Sequence, residues 1–215
     1  MMNEIYELLF NTNQALYAIV SQNVMEAYLV LFLVIFLETG LIVFPFLPGD
    51  GLLFSAGVIT ASSDLNIMLL VPILIMAAIA GNYFNYGIGK MIGDKIENTK
   101  NRFAQKYLVK SIIHTRKFYE KHGKRSIIIG RFFPVIRTYI PFLAGTVKFD
   151  YPEFGRYTMI GSVIWVPFFT FTGFFLGGLP WIKDNFELIF LGLIIVTLIP
   201  FFITAAKMIF VHKKA

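Results

Sequence analysis

Four ionisable residues, Glu38, Asp50, Arg131 and Arg137, stand in stretches that are otherwise almost wholly apolar. Their charges sum to zero, and their types fit two kinds of chemistry. Carboxylates held in an apolar setting serve as proton relays, and paired guanidiniums present planar forks that grip a phosphate bidentately. Thr138, beside Arg137, adds a hydroxyl to the same phosphate-binding set. A hydrolytic centre is not expected. The chain has no Cys, and its three His (His114, His122 and His212) lie in a basic stretch and in the tail. Ser55 and Thr138 are nucleophile candidates with no neighbouring base. We therefore expect no enzyme, no catalytic residue, no metal and no cofactor.

Each charge comes with residues that interrupt regular helix. Pro45, Pro48 and Gly49 surround the first carboxylates, and Pro134, Pro141 and Gly145 surround the arginines. Proline removes a helix hydrogen bond and disfavours helix at the residue before it, so these positions read as shaping the backbone. Isolated on lone spanning helices, four charges would weigh roughly 10 kcal/mol against insertion; pairing between the two segments relieves that. Two other readings stay open. The four charges form a neutral network that only locks the segments, or Asp50 simply caps a half-helix beginning near Gly51.

The elements that hold these residues follow from composition and charge. With 57% hydrophobic and 15% charged residues, the chain is far from the ~25% charge of a soluble domain. Its net charge of +6 is unevenly placed: no Lys or Arg precedes Lys90, and a dense basic run reaches from there to Arg125. That is a positive-inside pattern, so no nucleic-acid partner is expected. The 90–125 stretch, the Lys148 to Arg156 turn and the C-terminus should face the cytoplasm.

One membrane domain, 1–215, is expected. Residues 1–23 read as an interfacial helix, and Met25 to Phe44 as a span running outward. Pro45 to Ala61 dips in from outside, so 25–61 pairs the first span with an outer re-entrant segment. Ile67 to Ile92 returns inward, and 95–122 is an amphipathic cytoplasmic helix. The 126–147 segment re-enters from inside, and 157–211 holds two C-terminal spans, Tyr157 to Leu176 and Phe186 to Val211. The fold class is thus an all-α polytopic membrane protein with about four spanning helices, two oppositely oriented re-entrant broken-helix segments forming an inverted repeat, and amphipathic surface helices. A short repeat supports the pairing, Pro45-Phe46-Leu47-Pro48-Gly49 recurring as Pro141-Phe142-Leu143-Ala144-Gly145. Transporters built from inverted repeats bind substrate where such broken helices meet. Gly81, Gly87, Gly89, Gly93, Gly173 and Gly177 read as close-packing positions, and Tyr83, Tyr86 and Trp165 as packing.

Several of these motifs together resemble the DedA family of bacterial inner-membrane proteins. They are Phe36-Leu37-Glu38-Thr39-Gly40 with Pro45 to Asp50, Gly130-Arg131-Phe132-Phe133-Pro134-Val135-Ile136-Arg137-Thr138, and Pro141 to Gly145. Gly81, Tyr86, Gly89, Gly93, His122-Gly123, Gly161, Trp165 and Gly173 follow in the same order, so the likeness covers about Ala27 to Gly177. One departure is Asn82, where many members carry Asp. The resemblance implies a multi-pass protein of the inner membrane and a flippase-like role in the cell envelope: translocation of undecaprenyl phosphate to the cytoplasmic leaflet. By that likeness Glu38 and Asp50 handle protons, and Arg131 and Arg137 are the essential arginines. The implied partners are the bilayer, an anionic prenyl-phosphate lipid and protons; a homo-oligomer is compatible with the sequence. Two alternatives use the same charges: a proton-driven small-solute or ion transporter, and a generic phospholipid scramblase.

Overall fold

The computed structural model describes residues 23–41, 49–97 and 134–179, with Ile127, Trp181 and Gly192 as isolated positions. Among these residues every element is helical: α1 (Val24–Gly40), α2 (Gly49–Thr60), α3 (Ile67–Glu97), α4 (Pro134–Thr146) and α5 (Tyr151–Gly177). The surface helix expected over 95–122, the N-terminal helix before Asn23 and the Phe186 to Val211 span lie outside the described residues, apart from the start of the first at Lys95 to Glu97.

Each long helix begins at a side-chain cap. Asn23 Oδ1 accepts the Met25 N–H at 3.0 Å while its amide donates to Glu26 at 3.1 Å, and Asn66 Oδ1 accepts the Met68 N–H at 2.9 Å. Asp150 accepts the Glu153 N–H at 3.0 Å. These bonds occupy N–H groups that the first turn of a helix leaves without partners. The last cap corrects the expected start of the final helices. Tyr151 to Arg156 is not a turn but the opening of α5, because Asp150 caps it and Pro152 is harmless in a first turn. The turn is confined to 147–150. There the Lys148 N–H donates to Gly145 and the Phe149 N–H to Ala144, a Schellman closure with Lys148 at φ 53°. Similarly α3 continues to Glu97, past the expected Ile92, and α1 ends at Gly40, short of Phe44.

Among the described residues, two helices, Ile67–Gly93 and Tyr151–Gly177, each of 27 residues, are long and apolar enough to cross a membrane. At about 1.5 Å per residue each is roughly 40 Å long, against a hydrocarbon core of about 30 Å. Many large apolar residues are exposed while several polar ones are buried beside the apolar core. Met68, Leu69, Met76, Met159, Val163, Ile164, Phe168 and Phe175 are exposed, whereas Glu38, Asp50, Asn82, Asn85, Arg137, Ser162 and Thr170 are buried.

The chain forms two compact units. The first comprises Met1–Ile35, Pro48–Met76 and Val166–Ala215, and so includes α2 with parts of α1, α3 and α5. All twelve residues of α2 are buried. Its hydroxyls are satisfied within the helix, Ser55 donating to the Gly51 carbonyl and Thr60 to the Ala56 carbonyl, both at 2.7 Å. Tyr28 joins α1 to the start of α3, accepting the Asn66 N–H at 2.8 Å. The second unit comprises Phe36–Leu47 and Ala77–Trp165. Its core packs Tyr86, Ile127, Ile140, Ala144, Val147 and Phe154 together.

Taken separately, the two units contain the same helix contact. In the first, a Cβ on Gly57 of α2 would strike the Thr170 carbonyl and Phe174 N of α5, and one on Gly173 would strike the Phe54 carbonyl. In the second, a Cβ on Gly145 of α4 would strike the Tyr86 carbonyl and Lys90 N of α3, and one on Gly89 would strike the Phe142 carbonyl. Gly177 against Val58 and Gly93 against Thr146 complete the two sets. Phe54-Ser55-Ala56-Gly57 is thereby the counterpart of Phe142-Leu143-Ala144-Gly145. This corrects the alignment read from the sequence, since the partner of Gly145 is Gly57 and not Gly49. The matching is set by which glycine lets two backbones touch, a property that Pro-Phe-Leu identity does not report. Among the described residues, nothing lies within 4 Å of a Cβ on Gly87, which is not a packing position against any of them.

Candidate functional site

The second unit contains a buried charge pair. Glu38, near the end of α1, and Arg137, in the first turn of α4, form an ion pair between Glu38 Oε1 and Arg137 Nη2. Glu38 is 1% and Arg137 6% exposed, so both charges have left water and each depends on the other for compensation. The Arg137 guanidinium also lies over the ring of Trp165, with Cζ 4.8 Å from its centroid. Trp165, read from sequence as packing, thus belongs to the site. At 1% exposure, its ring supplies a cation–π contact in a desolvated setting, where such contacts are strongest.

Backbone geometry explains how the pair is held. Pro134 is the first residue of α4, where its missing N–H costs nothing. Pro141 lies within the same helix rather than ending it, and it withholds the N–H that would bond the Arg137 carbonyl. α1 ends just after Glu38, leaving its last carbonyls without helical donors. Asn85 of α3 reaches a carbonyl beside each of these places. Its side-chain amide donates to the Thr138 carbonyl at 2.8 Å and to the Thr39 carbonyl at 3.2 Å. Thr39 directly follows Glu38 and Thr138 directly follows Arg137, so one amide fixes both charged residues to a common helix. Asn85 is fully buried, and its Oδ1 has no hydrogen-bond partner among the described residues.

A small cavity adjoins the pair, lined by Thr39, Asn82, Arg137, Thr138 and Trp165. Its volume is about 10 Å³, room for about one water molecule. Asn82 donates to the Ala78 carbonyl of its own helix. Gly81 lies so close to α1 that a Cβ would meet Thr39 Oγ1 and the Phe36 carbonyl, which sets the depth at which Thr39 reaches the cavity.

The structure brings Glu38, Arg137 and Thr138 together. Asp50 belongs to the first unit, buried in the first turn of α2, a place that suits a carboxylate at a helix N-terminus. Arg131, Pro45 and Pro48 lie outside the described residues, while Gly49 is the buried first residue of α2. Asn85 was missed by sequence reasoning. Its signal was present, because Gly81, Asn85 and Gly89 recur every fourth residue on one apolar helix face, and a polar side chain on such a face needs a partner.

Comparison with known proteins places this arrangement in a family. The model of the VTT domain matches residues 47–175. The protein DedA of Escherichia coli strain K12 is 43% identical over 192 residues, covering 87% of this chain and 84% of its own length. The chain belongs to the DedA family. A membrane protein of Mycobacterium tuberculosis, described as uncharacterised, is 37% identical over 186 residues, 85% of this chain and 80% of that one. The E. coli inner membrane protein YqjA is 32% identical over 157 residues, 71% of this chain and 69% of its own. No solved structure matches the chain. As a DedA-family member with two membrane-length apolar helices, the protein is a membrane protein, and its exposed apolar side chains and buried polar ones are the expected consequence.

Proposed function

We propose that this DedA-family protein is a proton-coupled transporter of an anionic lipid, undecaprenyl phosphate or a related polyprenyl phosphate, carried from the outer to the inner leaflet of the cytoplasmic membrane. One observation carries the reading: a carboxylate, Glu38, occupies the guanidinium of Arg137 in a buried place where an oxyanion would bind. Carboxylate and phosphate compete for the same donors. Protonating Glu38 weakens its hold, Arg137 takes the phosphate, and Thr138 adds its hydroxyl. Proton and lipid then move inward together, while the isoprenoid tail stays in the bilayer. Asp50 is assigned to the same proton handling and Arg131 to the same phosphate. The adjoining space admits about one water, so the head group enters only after the helices around Arg137 part. The transport breaks no covalent bond, and the C-terminus is assigned to the cytoplasm.

The test is reconstitution of the full chain in vesicles carrying undecaprenyl phosphate, phosphatidylglycerol or external inorganic phosphate, with and without an inward proton gradient. Gradient-driven movement of the prenyl phosphate alone is expected. Glu38→Gln should remove the dependence on the gradient, and Arg137→Lys, which keeps the charge but loses the fork, should slow uptake about tenfold or more. Equal movement of all phospholipids identifies a scramblase, and movement of inorganic phosphate a solute transporter; either result overturns the proposal. So does full gradient dependence in Glu38→Gln.

A further inference from the structure

Two contacts of Arg137 differ in kind. Glu38 meets it at a guanidinium nitrogen, whereas Trp165 lies against the guanidinium face. These contacts do not compete, because a guanidinium donates hydrogen bonds in its plane and takes π contacts above it. They also differ in what removes them. A proton on Glu38 weakens the first, but no change of protonation affects an indole.

We propose that Trp165 is a positioning residue: it holds the Arg137 guanidinium in place while Glu38 is released, so that the edge Glu38 vacates becomes an in-plane seat for a phosphate monoester. This rests on the reading of Arg137 as the anion site. Without the ring, a buried arginine that loses its carboxylate has one face less to fix its plane, and each binding event must order it further. With the ring, one face is closed to ligand and the fork stays aligned. Trp165 also lines the cavity beside Arg137, so the wall of the site and the support of its cation are the same side chain. Every named contact lies within the second unit.

The chain has two tryptophans, and the other, Trp181, is exposed. Trp181→Phe therefore leaves Trp165 as the sole indole reporter in the full-length, detergent-solubilised protein. Its emission is followed during titration with a short-chain prenyl phosphate, the matching prenyl alcohol and inorganic phosphate. The expected result is a saturable change with the prenyl phosphate and none with the alcohol. In parallel, affinity for the prenyl phosphate is measured by calorimetry for Trp165→Phe and Trp165→Leu. Phe keeps an aromatic face and should stay within about threefold of the parent, whereas Leu, of similar bulk without a π face, should bind about tenfold more weakly. Equal affinities for the two variants overturn the proposal, whether or not their melting temperatures fall. A Trp165 response to inorganic phosphate but not to the prenyl phosphate supports the positioning role, with the Phe and Leu comparison then made on inorganic phosphate, and overturns the lipid reading. No response to either phosphate overturns both.

Discussion

Asn85 carries no charge, yet it donates to two carbonyls. The amide reaches the residue after Glu38 and the residue after Arg137, in an interior with little water to replace it. Asn85→Leu keeps the volume and removes both donors. Loss of a donor at each buried carbonyl costs about 1–3 kcal/mol, so the variant should unfold in mixed micelles with stability lower by roughly 2–6 kcal/mol. Asn85→Asp should be no better, since a carboxylate would face two carbonyl oxygens. A denaturant midpoint unchanged in Asn85→Leu would show that the two bonds are not holding the helices. The sequence made Glu38 and Arg137 conspicuous because a charge inside an apolar run needs an explanation. It did not single out Asn85 or Trp165, because both residue types are common in packed helices. What sets them apart is the partner each meets, and those partners are distant in the chain: Thr39 and Thr138 for Asn85, and Arg137 for Trp165.

The short helices α2 and α4 each meet a long helix through one of their own glycines and two of its glycines. Backbone-to-backbone contact of this kind is how membrane helices associate, since lipid offers no hydrophobic force to press them together. Gly57→Ala and Gly145→Ala each place a methyl group against a backbone carbonyl that cannot turn aside. Overpacking of about 1–3 kcal/mol is expected for each. Gly87→Ala is the internal contrast: its Cβ meets none of the described residues within 4 Å, and the gain in helix propensity should stabilise by up to about 1 kcal/mol. Thermal unfolding of the three variants in one detergent decides between this pattern and a uniform cost of losing glycine. Helix identity was legible from apolar run length, whereas proline and glycine did not mark breaks in α4, which runs through Pro141 and Gly145. Helix ends were less legible. The Asp150 cap moved the start of α5 to Tyr151, and Pro141 proved compatible with continuous helix.

At the scale of the molecule, the described residues expose many large apolar side chains and bury several polar ones beside an apolar core, as suits a chain dissolved in lipid. The charge pattern adds a direction. With no Lys or Arg before Lys90, the N-terminal end of α3 should face outward and its C-terminal end the cytoplasm. The chain lacks Cys, so single replacements test this directly. Asp64→Cys should react with a membrane-impermeant maleimide added to intact cells, and Lys95→Cys only after the membrane is opened; the opposite pattern would invert the proposed direction of transport. α3 has a further property that its contacts impose. Gly81 meets α1, Asn85 meets α1 and α4, Tyr86 bonds the Phe149 carbonyl at 2.6 Å, and Gly89 and Gly93 meet α4. One residue inserted or deleted between Gly81 and Gly93 would turn everything beyond it by about 100° and shift it by about 1.5 Å, displacing several contacts at once. Single substitutions there are graded in effect, but a change of length is not. The segment is a ruler, and its descendants should tolerate new letters far more readily than a new count.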